Sequence, residues 1–369
     1  MRIAIITLPL HTNYGGILQA YALQKTLESM GHTISLLEPT KPRMHRRSLM
    51  PFVYLKRFIR KFFLKQDVEV FRTVPERIQQ FTLPFIEKYI HRIFIKDWID
   101  ELADDFDAFV VGSDQVWRPI YNEHLNYAFL SFLNQRKVCR IAYAVSFGTD
   151  TKEYSSEQIK YSKPLVSLFD AISVRESGGI EMCKDYFSIC PVQVLDPTLL
   201  LPKEHYISLF DSKRLLSTNK GNLLLYILDE DEIKDSFINA FINRFSYKPF
   251  RVNSKVEQSE APINERIQPS VESWLKGFND AEYVITDSYH ACVFSILFHV
   301  PFIALGNNKR GLSRFSSLLN LFNLENCLID PQNCFFSPYK FDWNDIDRKL
   351  DKYRKQSLEF LSENLKNIR

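Results

Sequence analysis

The chain has 369 residues, of which 45% are apolar and 25% charged, and its formal net charge is only +3. This length suits about two globular domains, and the near-balanced charge argues against a nucleic-acid-binding protein. The six cysteines form no C-x-x-C pair, which favours reduced thiols over a zinc site. Neither a signal-peptide core nor an apolar run of membrane-spanning length is evident, so we expect a cytoplasmic protein.

Strands and helices alternate from the first residues of the chain. The pattern predicts a strand at Ile3–Thr7, a helix at Gly16–Met30 and a second strand at Thr33–Leu37. This β-α-β order is typical of a parallel, doubly wound sheet. Further strands of the same unit are predicted at Ala108–Val111, Arg140–Val145, Ala171–Val174 and Val192–Leu195.

A second alternation of strands and helices follows the first. Its strands are predicted at Leu223–Leu228, Phe250–Val252, Tyr283–Ile285 and Pro301–Leu305, with helices near Glu230–Phe245, near Val271–Phe278 and after His290. Two such α/β units in series predict two Rossmann-like domains that face a cleft. We place the first domain at residues 1–200, the second at 201–340 and a C-terminal helix within 341–369, with the boundary in Leu199–Glu204.

One segment, Lys41–Lys65, departs from this alternation because it holds nine Lys or Arg residues. In a helix, its apolar residues from Phe52 to Phe63 would share one face and Lys56, Arg57, Arg60 and Lys61 the other. Such a basic amphipathic helix is typical of a protein that lies on an anionic membrane surface. The alternative is a helix packed on its own domain with a solvated basic face.

The loop after the first predicted strand is rich in glycine. It reads Asn13-Tyr14-Gly15-Gly16, and its two glycines allow backbone N–H groups to approach a ligand closely. It matches neither the dinucleotide-binding fingerprint nor a phosphate-binding Walker loop, which disfavours NAD and ATP. The alternative is a tight turn without a ligand.

Another predicted strand ends in Gly112-Ser113-Asp114-Gln115-Val116-Trp117. The aromatic ring of Trp117 and the polar groups of Ser113 and Gln115 suit sugar recognition, and Asp114 is placed to accept a proton from a sugar hydroxyl. The alternative is an aspartate that bonds to its own turn. Asp114 is expected at the same sheet edge as the glycine loop, which favours a functional role.

Two more predicted strand ends carry polar side chains. Ser146 supplies a hydroxyl in Ala144-Val145-Ser146-Phe147-Gly148, and Arg175 follows the strand that ends at Val174. An arginine there suits bidentate binding of a phosphate or carboxylate. Alternatively, Arg175 pairs with Glu176 or Asp196 as a structural element. Asp196 itself, in Leu195-Asp196-Pro197-Thr198, is interpreted as a turn former.

The sequence Asp287-Ser288-Tyr289-His290 joins an apolar strand directly to a helix. His290 therefore falls in the first helical turn, where unpaired N–H groups favour an anion and where open α/β sheets bind ligands. A titratable imidazole at such a place indicates acid–base chemistry. The alternative is a capping Asp287 or Ser288 followed by a packed histidine.

Taken together, these blocks resemble the polysaccharide pyruvyl transferase family. The resemblance spans about residues 1–320 and is carried by five stretches, Asn13–Ala20, Val111–Trp117, Ser173–Glu176, Leu195–Thr198 and Asp287–His290. It implies two Rossmann-like domains arranged as in GT-B glycosyltransferases. It also implies transfer of pyruvate from phosphoenolpyruvate to two hydroxyls of one sugar, as a cyclic ketal, with release of phosphate.

The resemblance also implies roles for individual residues. Arg175 and His290 would hold and activate the donor, with Ser288 and Tyr289 beside them, and we infer that Asp114 takes the acceptor proton. The acceptor side is expected to comprise Asn13, Tyr14, Gly15, Gly16, Ser113, Gln115, Trp117 and Ser146. No cofactor or metal is expected if arginines neutralise the phosphate of phosphoenolpyruvate.

The chain departs from the family pattern at one position. Some members carry Arg two residues before the histidine, where this chain has Ser288. We therefore expect Arg310 or Arg314, which follow the next strand, to supply the missing positive charge. The predicted partners are phosphoenolpyruvate and a glycan acceptor of a cell-surface polysaccharide, carried on a lipid if residues 41–65 contact the inner membrane face.

Two other functions are compatible with these elements. A GT-B-like glycosyltransferase that uses a nucleotide sugar fits the fold, although no clear acidic pair for the nucleotide ribose is evident in the second domain. A non-catalytic sugar-binding protein also fits. Binding of phosphoenolpyruvate separates the first function from both alternatives, and replacement of His290 separates it from the non-catalytic one.

Overall fold

The computed structural model describes residues 1–40, 50–65, 71, 73–122, 125–211, 221–306, 311–332 and 339–366 of the chain. These residues form two parallel sheets, each flanked by helices. The predicted α/β class and the pair of Rossmann-like domains are confirmed by this topology.

The first sheet has seven parallel strands in the order β3-β2-β1-β4-β5-β6-β7. This is the doubly wound order, in which the chain first builds outward from β1 on one side and then on the other. The central strands β4 and β5 are buried along their whole length, as expected for strands covered by helices on both faces. The strands are β1 (Arg2–Ile6), β2 (Thr33–Pro39), β3 (Arg92–Ile95), β4 (Ala108–Gly112), β5 (Cys139–Val145), β6 (Ala171–Val174) and β7 (Val192–Gln193).

Helices surround this sheet and connect its strands. The longest among the early ones, α1, begins at an asparagine cap: the side chain of Asn13 accepts a hydrogen bond from the backbone N–H of Gly16. The helices of this part of the chain are α1 (Tyr14–Ser29), α2 (Met50–Phe62), α3 (Val74–Ile78), α4 (Leu83–Tyr89), α5 (Leu102–Asp105), α6 (Leu125–Ala128), α7 (Ser156–Val166) and α8 (Ser177–Phe187).

The second sheet has five parallel strands in the order β12-β11-β10-β8-β9. Its strands are β8 (Leu223–Tyr226), β9 (Pro249–Phe250), β10 (Tyr283–Thr286), β11 (Phe302–Leu305) and β12 (Leu328–Ile329). Its helices are α9 (Lys203–Asp211), α10 (Glu232–Phe245), α11 (Ile263–Arg266), α12 (Val271–Asp280), α13 (Tyr289–Phe298) and α14 (Leu312–Phe322). The predicted boundary at Leu199–Glu204 lies between the last strand of the first sheet and the first strand of the second.

The last helix, α15 (Trp343–Lys366), returns from the second domain to the first. The hydroxyl of Ser357 accepts a hydrogen bond from the backbone N–H of Leu195, at 3.0 Å, and Arg354 donates to the carbonyl of Leu199, at 2.9 Å. Phe360 packs near the ring of Tyr143 on β5. Helix α15 therefore fastens the segment after β7 to the rest of the molecule.

The two domains also share one apolar core. Tyr14 at the start of α1 stacks on Trp274 of α12, with ring centroids 5.3 Å apart, and both side chains are buried. The Tyr14 hydroxyl donates to the carbonyl of Pro269, at 2.8 Å. Gln268 donates to the carbonyl of Thr12 in the first domain, at 3.1 Å. These contacts hold the carboxyl ends of the two sheets toward one another, which is the GT-B-like arrangement.

Part of the basic segment is described and part is not. Residues 41–49 of Lys41–Lys65 lie outside the described residues, whereas α2 is a helix with exposed aromatic residues. Among the helices that the structure describes, none combines the length and the apolar character needed to cross a bilayer.

Candidate active site

The point where strand order reverses lies between β1 and β4 in the first sheet and between β8 and β10 in the second. Ligands of open α/β sheets bind in the crevice at such switch points. The loops after β1 and β10 carry Asn13 and His290, and both residues line one cavity of about 370 Å³ between the domains. The two switch points therefore face each other across a cleft.

Hydrogen bonds fix the turn between β10 and α13. The Thr286 hydroxyl donates to the carbonyl of Tyr226 and accepts from the N–H of Ser288, at 2.6 and 3.0 Å. The Asp287 carboxylate accepts from the N–H of Leu228, at 2.7 Å, and from the buried Lys234 ammonium, at 2.8 Å. Ser288 is the N-cap residue but makes no side-chain capping bond. Asp287 thus ties this turn to the loop after β8, and His290 follows in the first helical turn.

His290 contacts a buried carboxylate of the other domain. Its Nε2 lies 3.5 Å from Oδ2 of Asp196, at the limit of a hydrogen bond. The same oxygen accepts from Arg175 Nη1, at 2.8 Å, and from the Ser113 hydroxyl, at 3.2 Å. Burial alone would raise the pKa of Asp196, but His290, Arg175 and the Thr198 hydroxyl lower it well below its usual range. Asp196 therefore stays ionised beside the imidazole.

Asp196 is the residue whose importance the sequence interpretation missed. It does form the predicted turn, since its Oδ1 accepts from the N–H and the hydroxyl of Thr198, at 3.0 and 2.7 Å. Its second oxygen, Oδ2, accepts a hydrogen bond from Arg175 and lies beside Nε2 of His290. The signals in the sequence were the position of Asp196 just after a strand end, which a turn explains equally well, and its place in the stretch Leu195–Thr198 that resembles the family.

Arg175 lies behind His290, fully buried. Besides Asp196, its guanidinium approaches Glu176 at 3.6 Å and Asp114 at 3.7 Å, and it stands 4.4 Å from the ring centroid of Tyr289. Burial alone would lower the pKa of Arg175, but Tyr289 and the carboxylates raise it above its usual value. The structural pairing proposed as an alternative for Arg175 is the arrangement observed.

A second arginine joins this buried cluster, whereas another lies outside the described residues. Arg314 of α14 is buried, and its guanidinium lies 5.9 Å from the ring centroid of Tyr289. Burial and the positive charge of Arg175 lower the pKa of Arg314 to about 10, so it remains charged at neutral pH. Arg310 falls within residues 307–310, which the structure does not describe. Arg310 and Arg314 were predicted to supply the positive charge that Ser288 lacks. Of these two, Arg314 lies close to Tyr289.

The glycine loop touches His290 directly. A Cβ on Gly15 would overlap the imidazole at Nδ1, so only glycine allows α1 to approach this closely. At Gly16, in contrast, the nearest atom to such a Cβ is Asp114 Oδ2, at 3.6 Å, an ordinary contact. Asn13 caps the helix and lines the cavity.

Three of the residues predicted to bind the acceptor do not face the cleft. Tyr14 is buried between the domains against Trp274, and Trp117 is 0% exposed, with its indole N–H donating to the carbonyl of Ala128. The Ser146 hydroxyl donates to the buried Glu176 carboxylate, at 2.6 Å. The polar atoms of Tyr14, Trp117 and Ser146 are thus used to hold the fold, and none of the three lines the cavity, so their role in acceptor binding stays a prediction.

The remaining residues of the Asp114 loop lie close to the buried cluster. Asp114 has a positive φ of 60° and is buried, with its carboxylate between Arg175 and α1. Ser113 donates to Asp196, as described above. The side-chain oxygen of Gln115 accepts from Arg118, at 2.9 Å. Ser113 bonds to Asp196 and Asp114 lies beside Arg175, so both of these residues adjoin the buried cluster that contains His290.

The cavity contains charged groups that the sequence analysis did not single out. Arg251, just after β9, pairs with Glu230 at 2.8 Å, and Lys255 pairs with Glu265 at 2.8 Å. Lys255 follows the strand predicted at Phe250–Val252, whereas Arg251 lies inside that predicted strand, and the observed strand already ends at Phe250. Among the described residues, no three His, Cys, Asp or Glu side chains are grouped as metal ligands.

A model of the polysaccharide pyruvyl transferase family matches residues 13–309, a range that runs from the glycine loop past His290. The chain belongs to the polysaccharide pyruvyl transferase family. The matched range of this transferase family includes Asn13, His290, Asp114, Arg175 and Asp196, whereas Arg314 lies beyond it. The family predicted from the sequence is confirmed.

Several solved structures resemble this family member over nearly its whole length, and no curated protein matches its sequence. The UDP-GlcNAc 2-epimerase of Neisseria meningitidis, bound to UDP-GlcNAc, shares 10% identity over 99% of both chains, with a TM-score of 0.48. The UDP-N-acetylglucosamine 2-epimerase of Rickettsia bellii shares 10% over 98% of this chain and 96% of its own, with a TM-score of 0.46. MurG of Acinetobacter baumannii shares 11% over 100% and 95%, with a TM-score of 0.43.

Proposed function

We propose that this pyruvyl transferase family member moves pyruvate from phosphoenolpyruvate onto two hydroxyls of one sugar in a cell-surface polysaccharide precursor. The products are a cyclic ketal and inorganic phosphate. The observation that carries the proposal is the position of His290: its imidazole lines the interdomain cavity and is backed by the ionised Asp196. A cavity of about 370 Å³ is of the size that takes a small phosphorylated donor.

The chemistry of the donor explains why an imidazole is needed. Transfer of a proton from His290 to the methylene carbon of phosphoenolpyruvate forms the methyl group. The adjacent carbon is then open to attack by a hydroxyl. One sugar hydroxyl adds to that carbon and gives its proton to Asp114, and exchange of this proton through solvent restores the proton that His290 has donated. The second hydroxyl then displaces phosphate from the same carbon, and the phosphate retains the second hydroxyl proton. One proton enters the methyl group and one leaves on phosphate, so the reaction balances.

Asp196 would hold the imidazole in place. A carboxylate fixed on one side of a histidine sets the orientation of the ring. Because Asp196 also binds Arg175 and Thr198, its own position is fixed from two sides. In this proposal Asp196 is a positioning residue and His290 is the general acid.

Asp114 is the proposed acceptor for a sugar hydroxyl proton. Its carboxylate lies beside the first turn of α1, close to Gly16 and to the arginine cluster. Asn13, Gly15 and Gln115 belong to the same two loops, so the acceptor is proposed to enter from the first domain. No metal is invoked, because the donor anion would be neutralised by protein cations.

The donor anion is proposed to bind on the second-domain side of the cavity. The backbone N-terminus of α13 follows Ser288, and helix N-termini favour anions. Arg251 and Lys255 also line this cavity, where each is paired with a glutamate, Glu230 and Glu265 respectively. Arg175 and Arg314 add positive charge behind Tyr289. These groups suit a substrate with both a phosphate and a carboxylate.

Thermal unfolding with candidate donors tests this proposal. Phosphoenolpyruvate at 100 times its dissociation constant is expected to add about 2.7 kcal/mol to the free energy of unfolding, whereas UDP- and GDP-sugars are expected to add nothing. Arg175→Lys should weaken this stabilisation, because lysine loses the guanidinium hydrogen bond to Oδ2 of Asp196, the oxygen that lies beside His290. Arg140→Lys, a buried arginine bound to the carbonyls of Asn134 and Arg136, is the matched control.

The opposite pattern would contradict the proposal. Stabilisation by a nucleotide sugar alone would favour a GT-B-like glycosyltransferase. Stabilisation by neither donor, even with an acceptor sugar present, would favour the non-catalytic sugar-binding protein. Formation of a pyruvate ketal, detected by mass spectrometry of a sugar incubated with the protein and phosphoenolpyruvate, completes the test.

A further inference from the structure

Helix α2 exposes an unusual concentration of large apolar side chains. Phe52 is 71% exposed and Phe63, just after the helix, is 74% exposed. Folded proteins rarely leave so many neighbouring apolar residues in water unless the surface binds something. We define the α2 surface as the exposed residues Phe52, Leu55, Phe58, Ile59, Phe62, Phe63 and Leu64 together with the basic residues of the same helix.

The opposite side of this helix is positively charged. Lys56, Arg57, Arg60 and Lys61 fall on one face by helical spacing, and no Asp or Glu occurs anywhere in residues 41–65. The preceding residues 41–49 add Lys41, Arg43, Arg46 and Arg47 in sequence. A protein interface normally balances its charges, whereas an anionic lipid surface attracts a purely basic segment.

The α2 surface lies in the connection that returns to the rim of the cleft. This connection leaves the carboxyl end of β2 at Pro39 and later reaches α3, where the Ile78 carbonyl accepts from the N–H of Gln268, at 3.0 Å. Thr82 then donates to the carbonyl of His11, at 2.8 Å, in the loop that leads to Asn13. These two bonds place α3 and the segment that follows it at the rim of the cleft.

We propose that the α2 surface binds an anionic lipid bilayer. The helix would lie in the plane of the headgroups, with its aromatic side chains inserted and its basic side chains on the lipid phosphates. A corollary, which rests on the proposed function, is that the acceptor sugar is presented on a membrane lipid beside the cleft. The binding itself requires no turnover, so it is tested separately from the reaction.

Co-sedimentation of the full chain with lipid vesicles tests the inference. Vesicles of phosphatidylcholine with phosphatidylglycerol are expected to bind the protein, and vesicles of phosphatidylcholine alone are expected to bind it at least ten-fold more weakly. Each basic residue near an anionic surface strengthens binding about five-fold. The double variant Lys56→Gln with Arg60→Gln should therefore weaken binding roughly 25-fold.

Matched variants elsewhere on the surface separate this site from general charge or hydrophobicity. Lys352→Gln with Lys355→Gln removes the same two charges from the exposed side of α15 and should leave binding unchanged. Phe58→Ser with Phe62→Ser, which removes a ring pair 4.5 Å apart, should weaken binding by about ten-fold or more. Ile233→Ser on the exposed start of α10 is its control.

Three results would overturn the inference. They are equal binding to neutral and anionic vesicles, vesicle binding that survives both α2 variants, and a lower oligomeric mass of the Phe58→Ser, Phe62→Ser protein in light scattering. The last result would identify the α2 surface as an interface between copies of the chain. Loss of ketal formation with vesicle binding intact would instead contradict only the proposed function.

Discussion

Gly15 of the first domain and His290 of the second are in direct contact. The imidazole occupies the space where any side chain at position 15 would begin. The glycine loop thus positions the histidine of the opposite domain, in addition to whatever ligand it binds. A loop that sequence patterns associate with ligand binding is here also a packing surface for the proposed general acid.

Replacement of Gly15 tests this contact. Gly15→Ala is expected to displace the imidazole and lower kcat by at least ten-fold, while the protein remains folded. Gly16→Ala is the control, because a Cβ there meets its nearest atom, Asp114 Oδ2, at 3.6 Å. Steady-state kinetics and thermal unfolding of both variants provide the measurement. Equal kcat values for the two variants would show that the imidazole position does not matter.

His290→Ala removes the proposed proton donor. Loss of a general acid typically slows a reaction by about 10²–10⁴-fold, so kcat should fall within that range while cooperative unfolding persists. His299→Asn is a suitable control at the other end of α13, where the left-handed backbone (φ 57°) suits asparagine. A His290→Ala protein that turns over at the wild-type rate would make the imidazole purely structural.

Asp196→Asn leaves the buried Arg175 with a weaker partner. At neutral pH the variant should lose about 3–5 kcal/mol of unfolding free energy, since a buried ion pair is broken from one side. Urea unfolding measures this loss. Asp170→Asn, whose carboxylate accepts from the N–H of Arg140 away from the cleft, controls for the loss of a carboxylate in the same domain.

The same variant should change the acid dependence of stability. The pKa of Asp196 is lowered in the folded protein, whereas an unfolded aspartate titrates near ~3.9. Below that pH the unfolded chain binds a proton at Asp196 that the native chain does not bind, so the free energy of unfolding falls as pH decreases. In Asp196→Asn this slope should be shallower by about 1.4 kcal/mol per pH unit. Identical slopes between pH 2.5 and 4 would contradict the assignment.

Tyr14→Phe distinguishes an interdomain contact from an acceptor contact. The variant keeps the ring stacked on Trp274 but loses the hydrogen bond to Pro269, which should cost about 0.5–1.5 kcal/mol. The KM for the acceptor sugar should not change. Tyr154→Phe, which loses a buried bond to the carbonyl of Trp117, is the control for stability. An increased acceptor KM for Tyr14→Phe alone would restore its predicted binding role.

Much of the fold follows from the sequence because its buried strands are long and apolar. The strands predicted at Ala108–Val111 and Ala171–Val174 occur within one residue of those positions. Two edge strands, β3 and β12, escaped prediction since their apolar runs are only Ile93–Ile95 and Leu328–Ile329, too short to indicate a strand. The strand predicted to reach Leu195 ends at Gln193, and the N–H of Leu195 is bonded to Ser357 instead.

The site was less predictable than the fold. Position after a strand end placed Asp114 and Arg175 at one edge of the first sheet, because parallel strands share one carboxyl edge. His290 follows β10 of the second sheet and comes close to them because the two domains face each other. What the pattern did not contain was the direction of each side chain. Trp117 turns into the core of the first domain, and Asp196 turns toward His290, and both directions are set by residues distant in sequence.

The return of α15 to the first domain bears on how such proteins recombine. A chimaera of two homologues joined near residue 200 would combine the Asp196 segment of one parent with the α15 of the other. Ser357 and Arg354 hold that segment by its backbone, at Leu195 and Leu199. A unit that keeps these contacts is therefore discontinuous, because it comprises the first domain and the last helix. A single crossover between the domains would separate two parts that are hydrogen-bonded to each other.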